Sequence, residues 1–428
     1  MKLLRYDQPD FVQAVAEVTA SGSLFDPAIE ERVRAIIADV RVRGDAALLD
    51  LTERFDEVKL TVAQLRVTEP TPRVAPDLRK AVDAAQKNIA AFSRRSLRKN
   101  WQMRNAQGGR VGEKFDPFRR IGIYVPGGTA PLVSTALMTI TLAKVAGCPE
   151  IVVCTPPGRV GVINPNLLYA IRTAGASEIY RLNGVGAIAA MALGTATIRP
   201  VQKLFGPGNA YVVTAKRLLF GYVAIDLLPG PSEVLIIADD SADMRFIAAD
   251  MLAQAEHGSG HERVCLVTPS PRVIVMVQEQ LLLQKASLKR RELIERVLGE
   301  NTACVLVKNL DDAAKFANQF APEHCEIMAK NAAKLAAKIK TAGAIFIGPW
   351  SPTVAGDYLA GPSHTLPTGG AGKSFAGLTV DQFQRRTSIV ELSRDSLRKS
   401  LPALEEFAEV EGLDAHAASA RVRFAQKK

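Results

Sequence analysis

The period of apolar and polar positions changes near residue 121, and that change predicts the architecture. From Pro27 to Phe55 apolar residues recur at helical spacing, broken near Gly44, and a second helical run covers residues 77–97. The front of the chain therefore reads as helical. From Ile121 onward, short apolar runs alternate with helical ones. Residues 121–125, 151–154, 178–182, 201–205 and 223–227 are predicted strands. Helical runs at 132–146, 165–174, 187–193 and 210–220 separate them. After Pro229-Gly230-Pro231-Ser232 the alternation resumes with strands at 234–237, 264–267, 305–307, 325–328 and 344–347. Repeated strand–loop–helix units predict parallel sheets with helices on both faces, in two α/β units. The part from about Gln384 reads as helical and charged.

Composition adds limits. A chain of 428 residues, 47% hydrophobic, is an ordinary globular protein of two or more domains. The cysteines, Cys148, Cys154, Cys265, Cys304 and Cys325, are odd in number, far apart and mostly in apolar runs. They predict no disulfide framework and a reducing compartment. The first residues lack the apolar stretch of a secretory signal, and no uncharged apolar run approaches the roughly 20 residues of a membrane span. A cytoplasmic protein with no membrane partner is expected. The net charge of +10 concentrates at Arg94-Arg95, Arg98-Lys99, Arg119-Arg120 and residues 285–291. A nucleic-acid footprint is one reading. No cluster is interleaved with aromatics and acids are spread throughout, so a solvated basic surface that attracts small anions is preferred.

Several stretches carry candidate chemistry. Gln254-Ala-Glu-His257-Gly ends the helical run that begins at Met244. Gln254 and His257, three apart, would share a helix face, and an imidazole beside an amide oxygen can hold a divalent metal. Two ligands do not make a site, and a polar helix cap is the alternative. Gly258 and Gly260 make a helical pair of His257 with His261 improbable, leaving His261 a loop residue. Gly184-Val-Gly186-Ala-Ile-Ala189 matches a dinucleotide turn, but Leu204 stands where the acid of that fingerprint belongs. With that gap a tight strand-to-helix turn is the preferred reading. Gly206-Pro-Gly208-Asn209 opens a helix, where backbone amides attract an anion. Residues 369–374 imitate a phosphate loop, but Pro367 replaces its first glycine. Pro322-Glu323-His324 joins a helix to a strand and pairs a carboxylate with an imidazole. They suit two separate proton transfers, or else form a capped turn. Pro352, Pro362 and Pro367 imply a rigid, irregular segment presenting Asp357 and His364. His416, in Glu411-Gly-Leu-Asp-Ala-His416, would alone be a surface histidine.

Together these stretches resemble the histidinol dehydrogenase family over nearly the whole chain. The matching residues are Tyr124-Val-Pro-Gly-Gly, Phe205-Gly-Pro-Gly-Asn209-Ala, Gly230-Pro-Ser-Glu-Val, Gln254-Ala-Glu-His257-Gly, Pro322-Glu323-His324, Trp350-Ser-Pro, Ala355-Gly-Asp357-Tyr, His364-x-Leu-Pro-Thr and Leu413-x-Ala-His416. The resemblance implies two incomplete Rossmann-like units with parallel sheets, plus helical N-terminal and C-terminal segments. Residues 1–27 would form an arm. Residues 28–123 with 232–375 would carry zinc and the catalytic residues, 124–231 the NAD contacts, and 376–428 a tail reaching a partner's site. It implies a homodimer oxidising L-histidinol to L-histidine with zinc and two NAD per turnover. The implied zinc ligands are Gln254, His257, Asp357 and His416, the last from the partner. The implied substrate contacts are Ser232, Gln254, His257, His324, Asp357, Glu411 and His416, with His364 also in the pocket. Tyr124 and Asn209 would contact NAD. A third family contact, a glutamine, aligns with Gly186, which removes a hydrogen bond worth about 0.5–1.5 kcal/mol. His324 is expected as the base of the first oxidation and Glu323 as the group that activates water for the second. A relative acting on another small alcohol, such as a sulfonated diol, would differ around Glu411 and His364, both of which match. A zinc-binding solute receptor would leave Glu323 and His324 without a role.

Overall fold

A computed structural model of the chain describes residues 1–20, 26–127 and 131–425. Gly128 of the Tyr124 motif lies outside the described residues, as do parts of both predicted terminal segments, residues 21–25 and 426–428. The strands are β1 (Lys2–Arg5), β2 (Trp101–Arg104), β3 (Arg110–Pro117), β4 (Arg120–Tyr124), β5 (Glu150–Thr155), β6 (Glu178–Arg181), β7 (Lys203–Phe205), β8 (Ala224–Ile225), β9 (Glu233–Ala238), β10 (Arg263–Thr268), β11 (Thr302–Leu306), β12 (His324–Met328), β13 (Ala344–Ile347) and β14 (Gln384–Glu391). Two compact units form, residues 1–96 with 118–382, and residues 97–117 with 383 onward.

The first unit contains two parallel sheets. One has five strands in the order β6-β5-β4-β7-β8, the other six in the order β1-β11-β10-β9-β12-β13. Leaving β1 aside, both follow one doubly wound order, in which the chain moves outward from the first strand and then returns to its other side. The mixed α/β class expected from the alternation is present. β4 and β9 are buried at every position, which is why they read as unbroken apolar runs. Helix boundaries follow local signals. In helix Pro165–Ala174, Asn164 caps the amides of Asn166 and Leu167, Pro165 fills the first position, and Gly175 stops the helix at φ +111°.

The front helices, Pro27–Arg43 and Asp45–Asp56, bury Val33, Ile37, Val40 and Leu48 in the core of the five-stranded sheet, with Ala187 and Ile188. Residues 27–65 thus share a core with residues 124–231, so the cores do not divide at residue 123.

The second unit is an antiparallel sheet, β14-β3-β2, with helices Arg394–Val410 and Asp414–Arg421. The terminal segments are thus not helical throughout. β1 pairs with β11, and β14, expected as helix, runs along β3. Their side chains are mostly exposed, so no apolar run marked them.

Arg120 corrects the expectation of a solvated Arg119-Arg120 cluster. It is buried, and its guanidinium donates to Glu150 (2.7 Å) and Glu178 (2.6 Å). The five cysteines are buried and none is in a disulfide. Among the described residues no helix is long and apolar enough to cross a membrane.

Candidate active site

In the five-stranded sheet the winding direction reverses between β4 and β7, and loops gather there at the carboxyl edge. Gly206 follows β7 with φ +109°, and a Cβ there would lie 2.1 Å from the Tyr124 carbonyl oxygen. Only glycine permits that approach. Asn209 is exposed and caps helix Ala210–Leu219, its side-chain oxygen accepting from Tyr211 (3.1 Å) and Val212 (3.2 Å). Its amide nitrogen is left for a ligand. Tyr124 is buried; its hydroxyl donates to Asn183 Oδ1 (2.8 Å) and accepts from the Gly184 amide (3.2 Å). The hydroxyl of this expected NAD contact is thus engaged within the protein, and burial raises its pKa.

Asn183 in turn donates to Asp56 (2.7 Å), so an acid from the front helix reaches the Gly184 turn. Sequence spacing could not have found it, because Asp56 lies far upstream. Gly186 lies on the buried side of helix Gly184–Leu193, and a Cβ there would meet Leu51 Cδ1 at 3.1 Å. A side chain at 186 therefore starts toward the front helix.

The six-stranded sheet gathers a second group at its amino edge. Glu323 immediately precedes β12, His324 is its first residue, and Glu233 begins β9 alongside. The peptide groups of Glu233 hold both side chains. Its N–H donates to Glu323 Oε2 (2.8 Å), and its carbonyl lies 3.0 Å from His324 Nδ1. Assigning the proton to Nδ1 leaves Nε2 facing Asp357 Oδ1 at 3.5 Å. Burial raises the Glu323 carboxyl to about 7. For His324, burial disfavours the charged ring, but the Glu323 and Asp357 carboxylates outweigh it and carry it to about 9. Burial likewise opposes ionisation of Asp357, and the hydrogen bond and charge of His324 overcome that, so its pKa falls.

Asp357 lies in a short helix, Thr353–Tyr358, with Pro352 at its N-cap. That replaces the irregular segment expected there. Gly356 lets the helix sit on Phe346, since a Cβ would lie 2.7 Å from the Phe346 ring. His364 Nδ1 lies 3.0 Å from the Asp357 carbonyl and Nε2 3.2 Å from Thr135 Oγ1, while Ser363 Oγ donates to the Met138 carbonyl (3.3 Å). Thr135 and Met138 belong to helix Val133–Ala146, which follows β4. The carboxyl edge of one sheet thus meets the amino edge of the other.

Gln254 ends helix Met244–Ala255, but His257 falls in the turn beyond it, with Nδ1 3.2 Å from the Ala253 carbonyl. The two are neighbours without sharing a helix face. The buried Gln254 amide nitrogen has no hydrogen-bond partner among the described residues. Turning that amide would aim an oxygen into the same place, as a cation requires. Asp357 and His257 lie within electrostatic reach of each other. Among the described residues no three His, Cys, Asp or Glu group to hold a metal. Ser232 is half-buried before β9. Glu411 and His416 are exposed in the second unit, at a helix C-cap and in helix Asp414–Arg421.

Two doubly wound sheets, with an oriented imidazole and a raised carboxyl at the edge of one, define an α/β protein equipped for acid–base chemistry. The histidinol dehydrogenase family model matches residues 21–424. The chain belongs to the histidinol dehydrogenase family. A histidinol dehydrogenase of Heliobacterium mobile is 42% identical over 94% of this chain and 95% of its own. One of Geobacter metallireducens is 42% identical over 99% and 98%. The crystal structure of histidinol dehydrogenase from Elizabethkingia anophelis matches with a TM-score of 0.93 and 33% identity, covering 99% of this chain and 98% of that one. An acetylating aldehyde dehydrogenase from Geobacillus thermoglucosidasius, at 14% identity and a TM-score of 0.50, shares the fold alone.

Proposed function

We propose that this protein oxidises L-histidinol to L-histidine through L-histidinal, closing histidine biosynthesis. It acts as a homodimer whose sites each hold one zinc ion. Family membership supports the substrate. The observation that carries the mechanism is the orientation of His324, with Nδ1 committed to the Glu233 carbonyl and Nε2 facing the site.

Gln254, His257 and Asp357 would hold zinc with the partner subunit's His416, a mixed amide, imidazole and carboxylate set that suits this metal. When bound, zinc supplies a charge that positions the imidazole and amine of the substrate. NAD, when bound beside Tyr124 and Asn209, supplies the hydride acceptor. Ser232, His364 and the partner subunit's Glu411 complete the substrate pocket. Leu404, Phe407 and Val410 are exposed along helix Arg394–Val410, which supports docking of this tail on a second subunit.

His324 Nε2 takes the hydroxyl proton of the alcohol in the first oxidation. It must be neutral to do so; the Glu323 and Asp357 carboxylates favour the charged ring, and a cation held by Asp357 would remove that residue's share. Glu323, with a carboxyl near neutrality, accepts a proton from the water that adds to the aldehyde. The hydrated aldehyde then loses its second hydride. One histidinol, two NAD and one water give one histidine, two NADH and three protons. The reading places the enzyme in the cytoplasm, where thiols outside disulfides stay reduced.

The test is NADH formed per histidinol consumed, in zinc-loaded wild type and in Glu323→Gln. Wild type should give two and the variant should fall toward one, with histidinal accumulating. One NADH from wild type would refute the double oxidation, and an unchanged ratio in a slower variant would refute the division of roles.

A further inference from the structure

A second pair of acids lies beside the site and has no part in the proposed chemistry. Asp250 is one turn before Gln254 on helix Met244–Ala255, and Glu326 is two residues after His324 on β12. Both are buried, Glu326 with 1% of its surface exposed. Glu326 Oε1 accepts from the Thr353 amide (2.8 Å), the first residue of the helix that presents Asp357 one turn later. Glu326 Oε2 is buried and finds no donor among ordinary N–H and O–H groups of the described residues. Asp250 is the acid that acts on Glu326: burial, with the charge of Asp250 added to it, holds the Glu326 carboxyl well above the usual range.

Two buried carboxylates in contact cannot both ionise, so one keeps its proton. A proton on Glu326 Oε2, donated to Asp250, satisfies both acids and explains the apparent orphan. Oε1 is then a carbonyl oxygen, the acceptor that the Thr353 amide requires.

We propose that Glu326 is a positioning residue, a neutral acid that ties the helix of Gln254 to the helix of Asp357 and sets the spacing of these candidate metal ligands. The proposal rests on the zinc reading above. Glu326 touches neither metal nor substrate in it, and acts through the two helices.

An amide can replace a neutral acid of this shape, donating to Asp250 and accepting from Thr353. Glu326→Gln should therefore bind zinc within about threefold of wild type, whereas Glu326→Leu should lose about tenfold or more. Zinc is titrated alone into metal-free dimer against a chromophoric chelator, and Asp250→Ala should lose affinity in the same direction. Should Glu326→Leu fail to fold, Asp250→Ala carries the comparison. A second readout needs no zinc: the infrared band of a buried protonated carboxyl in the wild type minus Glu326→Gln difference spectrum, in which the raised Glu323 carboxyl, present in both, cancels. Loss of zinc in Glu326→Gln as large as in Glu326→Leu overturns the proposal, as does a difference spectrum without that band. Wild type that binds zinc while Glu326→Leu and Asp250→Ala bind it equally well overturns the proposal alone. Wild type that takes up no zinc overturns the metal reading and the proposal together.

Discussion

Lys216→Met removes the cation bonded to Asp226, and the cost can be worked from the contacts. Both side chains are fully buried. The ammonium donates to the Asp226 carboxylate, the Gly206 carbonyl (3.0 Å) and the Leu227 carbonyl (2.9 Å). Asp226 Oδ2 accepts from the Gly206 amide (2.9 Å), so both peptide groups of Gly206 are gripped. Methionine matches the stem of the lysine but leaves the carboxylate unpaired, which costs about 3–5 kcal/mol. At about 2–4 °C per kcal/mol for a domain of about 150–250 residues, melting should fall by roughly 6–20 °C. Replacing an isolated buried pair by apolar residues is often neutral. Here Lys216→Met with Asp226→Leu would also strand three backbone groups at about 1–3 kcal/mol each, so the double variant should stay below wild type. The assay is the melting temperature at fixed scan rate, read beside NAD affinity, because Gly206 leads to Asn209. A single variant within about 1 kcal/mol of wild type, or a double variant that recovers fully, would show that the pair does not hold this loop.

Gly356→Ala places a methyl 2.7 Å from the Phe346 ring, itself 5.8 Å from the His324 ring between centroids, so Asp357 must shift. It should lose about 1–3 kcal/mol and weaken zinc uptake, and unchanged zinc affinity by chelator competition would refute the linkage. Gly186→Gln was expected from the family pattern to tighten NAD binding, but its side chain starts 3.1 Å from Leu51. Melting should fall and NAD affinity should not improve; a tighter complex in a cofactor titration would show that the glutamine escapes the front helix.

The sequence was most legible where one local signal fixed one element. Asn164, Pro165 and Gly175 bound a helix whose limits were read correctly, and the apolar run at 344–347 is β13. β2, β3 and β14 escaped because they lie in a largely exposed antiparallel sheet, where charged residues such as Arg385 and Arg386 mask the strand. In the site, single residues were visible and their supports were not. The peptide of Glu233, the Asp56–Asn183 link and the Glu326–Thr353 bond join positions far apart in the chain, so no spacing announces them. The turn at Gly258 also moved His257 off the helix that its three-residue spacing suggested.

The proposed acid and base stand at the amino edge of their sheet, although α/β enzymes usually bind ligands at the carboxyl edge. Helix polarity accounts for the exception. In a parallel sheet each crossover helix runs back toward the amino edge, so helix C-termini collect there and helix N-termini collect at the other edge. Helix Leu310–Phe320 ends just before Glu323 and His324, helix Met244–Ala255 ends at the turn that carries His257, and Asp357 lies in the last turn of Thr353–Tyr358. Their partial negative charge favours a cation by about 0.3–1 kcal/mol each. The facing edge of the other sheet starts helices Gly184–Leu193 and Ala210–Leu219, whose partial positive N-terminal ends favour an anion even though Asn209 and the Tyr124 hydroxyl already hold the amides of Tyr211, Val212 and Gly184. A metal with a cationic amino alcohol on one side, and a diphosphate cofactor on the other, is the pairing of charges that these two edges suit.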